Sequence, residues 1–157
     1  MKRWLVCGAV LMAAVLLIKD ENRPGVDIAK LEPAQIISVE EKLRGVVLRT
    51  DAGHSGWGRD LDGAISDMEA SANGLVFLDT AEYLLVATGA EKWVPELTKI
   101  LRSSCQICQA DAGLDLKLAA EYLTAHPPGR TLGDWQKGNA ELPMLYYLEE
   151  RMYLAKP

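Results

Sequence analysis

Gln35-Ile36-Ile37-Ser38-Val39-Glu40, a polar Glu41-Lys42-Leu43-Arg44 turn, and then Gly45-Val46-Val47-Leu48-Arg49-Thr50 carry the clearest fold signal in the chain. Both runs are rich in β-branched residues and the link is short, which predicts two adjacent antiparallel strands. Downstream, Leu61, Ala64, Ile65, Met68 and Ala72 fall at helical spacing, with Asp60 at the start and Asn73-Gly74 at the end as capping residues. Residues 75–78 and 82–88 are short apolar runs joined by Asp79-Thr80-Ala81, and they read as two more strands. A second helix is expected over 91–102, burying Val94, Leu97, Ile100 and Leu101, with Pro95 in its first turn and Lys99 and Arg102 in its last.

Residues 105–110 form a short strand candidate, and 115–125 a third helix using Leu116, Ala119, Ala120 and Leu123. His126-Pro127-Pro128-Gly129 stops that helix. Residues 131–152 are expected to hold one or two helices, the clearer one beginning at Pro143 and presenting Met144, Leu148 and Met152. The fold class is therefore α+β: a single mixed, mainly antiparallel sheet packed with helices and covered mainly on one face.

At the amino end, Met1-Lys2-Arg3 precedes an unbroken apolar run from Trp4 to Ile18, closed by Lys19-Asp20-Glu21. Two cations before a short hydrophobic stretch is the layout of a secretory signal or signal anchor, with the remainder exported. About 15 helical residues span roughly 22 Å, less than the roughly 30 Å hydrocarbon core, so length favours a signal sequence. Cleavage needs small residues at the first and third positions before the cut, and Val15-Leu16-Leu17-Ile18 supplies none. An uncleaved anchor is the preferred reading, with snorkelling of Lys2, Arg3 and Lys19 making up the span. The expected organisation is a signal anchor or signal sequence over 1–22, a linker over 23–33 containing Pro24, Gly25 and Pro33, and an extracytoplasmic α+β domain over 34–157.

The formal net charge is -5, and without Lys2 and Arg3 the remaining 15 basic residues face 22 acidic ones, a balance of -7. Nucleic acid is a poor partner for that surface, because phosphate binding depends on clustered Lys and Arg. Anionic lipid would repel it as well, which leaves the amino-terminal helix as the membrane attachment.

Chemistry-bearing residues are sparse. Cys7, inside the hydrophobic run, reads as a small apolar residue. Cys105 and Cys108 form C-x-x-C, open to three readings: a disulfide, two ordinary semi-buried thiols, or a redox site. In an extended stretch Cys105 and Ile107 share a face and Cys108 points to the other, which is unfavourable for a local bond. Gly53-His54-Ser55-Gly56-Trp57-Gly58 has Trp57 where a nucleophile elbow needs glycine, and it lacks the third glycine of a dinucleotide loop. It reads as a loop carrying His54 and Trp57. Asp60, Asp62 and Asp67 are too spread for a hard cation and suit a solvated helix N-terminus. His126 reads as a helix stop, and the two histidines support neither a metal nor a triad. No cofactor is expected.

Two strands, then Gly58-Arg59-Asp60-Leu61-Asp62-Gly63-Ala64-Ile65 opening a helix, then Leu75-Val76-Phe77-Leu78-Asp79 and Tyr83-Leu84-Leu85-Val86 with a following helix, resemble the first domain of Ger(x)C spore-germination proteins. The likeness spans residues 35–123. It implies an exported, membrane-attached subunit of a germinant receptor, without catalytic residues and working among other membrane proteins. On that basis the expected role is a non-enzymatic membrane-anchored interaction domain. Its partner surface would be formed by His54, Trp57 and Arg59 of the glycine-rich segment with Tyr146 and Tyr147 of the last helix. The competing expectation is a thiol-disulfide redox protein using Cys105 and Cys108.

Overall fold

The computed structural model describes residues 31–72, 75–138 and 141–156, so the expected anchor, nearly all of the linker and the Asn73-Gly74 cap lie outside the described residues. In chain order the elements are β1 (Leu31–Pro33), β2 (Ile36–Lys42), β3 (Gly45–Thr50), β4 (Ser55–Gly58), α1 (Leu61–Ser71), β5 (Leu75–Phe77), β6 (Tyr83–Ala87), α2 (Val94–Leu97), β7 (Gln106–Ala110), α3 (Leu116–Ala125), α4 (Leu132–Gln136), β8 (Met144–Leu148) and β9 (Arg151–Ala155). Seven strands make one mixed sheet in the order β4-β3-β2-β6-β7-β8-β9, and β1 pairs with β5 separately. The α+β class is as expected. The pairings divide evenly between antiparallel (β4-β3, β3-β2, β8-β9) and parallel (β2-β6, β6-β7, β7-β8). The sheet is thus less antiparallel than the chain of short strands suggested, because the helical segments between β4 and β8 return the chain in the same direction.

β2 and β3 form the hairpin read from the sequence, with a tighter turn than expected. Lys42 pairs with Gly45, leaving Leu43 and Arg44 alone in the turn at φ 49° and 63°. Two consecutive positive φ values twist the chain to match the strands, although neither side chain favours that region. α1 begins at the predicted cap: Asp60 takes an extended conformation and its carboxylate accepts from the Gly63 N–H at 2.8 Å.

Both faces of the sheet are covered, which corrects the single-faced expectation. One core packs Ile37, Val39, Leu48, Leu84, Val86 and Ile107 against α1 and α2 through Leu61, Met68, Val94 and Leu97. The other packs Ile36, Tyr83, Leu85 and Cys108 against α3 through Leu116, Ala119 and Leu123. β6 explains why, since all five of its residues, Tyr-Leu-Leu-Val-Ala, are buried, the mark of a strand sandwiched between layers.

Three further expectations are corrected. The helix expected over 91–102 is a 3-10 turn, Glu91–Trp93, followed by one α-helical turn, Val94–Leu97. Beyond it the Thr98 hydroxyl donates to the Pro95 carbonyl at 2.8 Å, and Lys99 and Ile100 bond three residues back, to Glu96 and Leu97. A side chain competing for a backbone acceptor favours such tightening over helix propagation. The Gly53 to Gly58 segment is a loop only in its first half, because Ser55–Gly58 is the edge strand β4. Gly56 and Gly58 are there for packing, since a Cβ on Gly56 would overlap the Ala64 carbonyl and one on Gly58 the Ala64 amide.

The helix expected from Pro143 is instead the β8-β9 hairpin, turned by Glu149 and Glu150 at φ 48° and 64°. Met144, Leu148 and Met152 fit a helical repeat by coincidence. Pairing of Gln109 with Met144 and Ala110 with Leu145 recruits the segment into the sheet, and a Leu-Tyr-Tyr-Leu run packs well on a pleated surface.

Candidate interaction surface

His54, Trp57 and Arg59 lie at one end of the sheet, on and beside β4, while Tyr146 and Tyr147 lie on β8 at the other end. The fold does not bring them into one surface, so the expected composite patch is two separate edges.

The β4 edge is closed by its own helix. In the β3-β4 register Gly56 and Gly58 face β3, so Ser55 and Trp57 turn their backbone groups outward. The Asp67 carboxylate of α1 accepts the Trp57 N–H at 2.8 Å, and the Ser71 hydroxyl donates to the Ser55 carbonyl at 3.4 Å. These contacts occupy groups that would otherwise invite another strand. Trp57 keeps an exposed ring, and the His54 N–H is held by the Thr50 hydroxyl at 3.2 Å. Asp60 and Asp67 serve capping and edge contacts instead of converging on a cation.

The β9 edge is different. Leu148 and Arg151 flank a two-residue turn and form a hydrogen-bonded pair, as then do Tyr146 with Tyr153 and Met144 with Ala155. Met152 and Leu154 therefore direct their N–H and C=O groups away from β8, and no described residue bonds to them. On the α3 side, Tyr147 and Met152 floor two adjoining depressions of about 440 and 560 Å3 walled by Leu114, Leu118 and Tyr122. Asp111, Asp115, Glu121 and Glu150 ring them. On the opposite side Tyr146 stacks on Tyr153, centroids 5.5 Å apart. Tyr147 is 46 % exposed, Leu148 55 % and Leu118 44 %. Four of the six large exposed hydrophobic side chains among the described residues, Leu118, Tyr147, Leu148 and Tyr153, thus belong to this end of the sheet and α3, which makes it an adhesive region.

Cys105, just before β7, lies in the α1-α2 core, whereas Cys108, within β7, lies in the α3 core. Burial pushes each thiol up to about 12, opposed at Cys105 by nearby Arg102 and reinforced at Cys108 by Cys105. A nucleophilic thiol needs the opposite shift, toward the thiolate. His126 ends α3, its ring stacked on Tyr122 at 4.5 Å.

Two features were not anticipated. Glu40, 7 % exposed, accepts from Arg49 at 3.1 Å and from the Gly113 N–H at 3.0 Å, while Arg49 also donates to the Leu114 carbonyl at 3.3 Å. This cluster fastens the β7-α3 loop, one wall of the groove, to β2 and β3. A Glu in a β-strand with Ile36 and Ser38 on the same face was its only sequence signal. The open β9 edge had none, because the segment reads as helix.

Among the described residues no helix is long and apolar enough to cross a membrane, and no three His, Cys, Asp or Glu side chains are grouped to hold a metal ion. Comparison of the chain with protein families, with curated proteins and with solved structures gives no match.

Proposed function

We propose that this protein is a non-enzymatic, membrane-anchored extracytoplasmic interaction domain that works within a membrane assembly, in the manner implied by its resemblance to the first domain of germinant-receptor C subunits. The observation that carries this reading is the β8-β9 hairpin, which exposes Tyr147 and Leu148 beside an acid-rimmed groove. Such a patch is costly to leave in water and gains free energy when a partner covers it.

The amino-terminal apolar run supplies the other half of the proposal. An anchored domain is confined to a thin layer over the bilayer, which raises its effective concentration toward membrane partners without any new contact. The thiol-disulfide alternative draws less support, since Cys105 and Cys108 are divided between two cores and burial holds both thiols protonated.

Photo-crosslinkers at positions 57 and 147 of the full chain in its native membranes test the proposal. Position 147 is expected to capture a discrete membrane protein and position 57, at the helix-protected edge, to capture little. No specific product from either position contradicts it.

A further inference from the structure

We infer that β9 is a self-pairing edge, through which two copies of this chain join antiparallel about a two-fold axis passing at Tyr153. The inference rests on the proposed function's reading of this end of the sheet as the interaction surface. It names the occupant of the edge as a second copy.

The two sheet ends differ in how their outward backbone groups are met. At β4 the outward Trp57 N–H and Ser55 carbonyl are occupied by α1 side chains, whereas the outward groups of Met152 and Leu154 on β9 have no bonding partner among the described residues. An unprotected edge strand is a template for another strand. Antiparallel pairing requires the outward-facing residues to meet one another, and Met152 opposite Leu154 of a second copy satisfies this twice. That register places Tyr153 opposite itself, at a position without direct hydrogen bonds where side chains approach closely.

The side chains agree with this register. Tyr153 already stacks on Tyr146 at 5.5 Å, so the two-fold continues one tyrosine row across both molecules. Met152 and Leu154, each half-buried toward α3, meet their counterparts on the other face. Arg151 falls opposite Ala155, so no like charges confront each other there. Glu150, in the turn, falls opposite Lys156, and both are exposed and free of any ion pair within the described residues. The edge is therefore complementary to itself in backbone, apolar surface and charge.

The test uses the full-length chain in detergent micelles, with Cys7→Ser removing the leader thiol. Tyr153→Cys is expected to form an oxidised dimer at least about tenfold faster than Arg151→Cys, because paired residues of this kind have Cα atoms about 4.5 Å apart while the two Arg151 positions lie roughly 14 Å apart. Glu150→Lys or Lys156→Glu alone is expected to raise the dimer dissociation constant on the order of tenfold, and the double exchange to restore it. A chain that sediments as a monomer, with position 153 crosslinking no faster than position 151, overturns the inference. If position 147 still captures another membrane protein in that case, the interaction reading survives and only self-pairing fails. If it captures nothing, both fail.

Discussion

Gly56 shows how much of this fold turns on single atoms. Its missing Cβ lets α1 lie directly on β4, so Gly56→Ala is expected to cost about 3 kcal/mol as the helix is forced off the sheet, read as a shift of the urea midpoint. Glu40 carries a charge that is nearly out of water and balanced by Arg49 and the Gly113 amide. Glu40→Ala strands both partners and should cost about 2 kcal/mol, below the value for a fully buried pair because Arg49 keeps partial solvation. Cys105 and Cys108 set a pH dependence. The unfolded chain loses its thiol protons from about 9, while the folded chain keeps them to about 12. The folded state therefore binds more protons in that window, and its stability is complete below about pH 9 and declines toward pH 12. Cys105→Ala with Cys108→Ala should flatten the decline between about pH 9 and about pH 10.5, and an unchanged slope would refute the account of the thiols.

At the scale of elements, the sequence made the β2-β3 hairpin and the helices α1 and α3 legible because each carries a pattern with a local cause. β-Branched runs flank the hairpin turn, Asp60 and Asp115 cap the two helices, and Pro127-Pro128 ends the second. The opposite placement of the two cysteines followed from strand alternation alone. Where reading failed, the deciding contact was distant. β8 and β9 are strands because β7 pairs with β8 and β8 in turn with β9, and a spacing of four between Met144, Leu148 and Met152 cannot reveal that. Gly56 and Gly58 looked like loop glycines because the helix that needs their emptiness lies on the far side of Gly58. The two hairpin turns carry a related signature. Leu43-Arg44 and Glu149-Glu150 occupy a left-handed turn without glycine or asparagine. Exchanging the first pair for Asn-Gly should stabilise the molecule by about 1 kcal/mol, measured by thermal or urea unfolding.

Across the molecule, the described residues guard one end of the sheet and supply no partner to the outer edge at the other, and the two halves of the sequence-derived partner surface fall on opposite sides of that divide. His54, Trp57 and Arg59 belong to the end that α1 seals, whereas Tyr146 and Tyr147 belong to the end that remains adhesive. No residue pattern could have separated these two groups, because their distance is a property of the strand order. The proposed role still depends on where the body resides. The most direct measurement is digestion of intact cells by protease added from outside, followed by fractionation of the membranes. The account predicts that the acidic body is degraded while the apolar amino-terminal segment stays with the membrane. A body that survives external protease in intact cells, and is cut only after lysis, contradicts it.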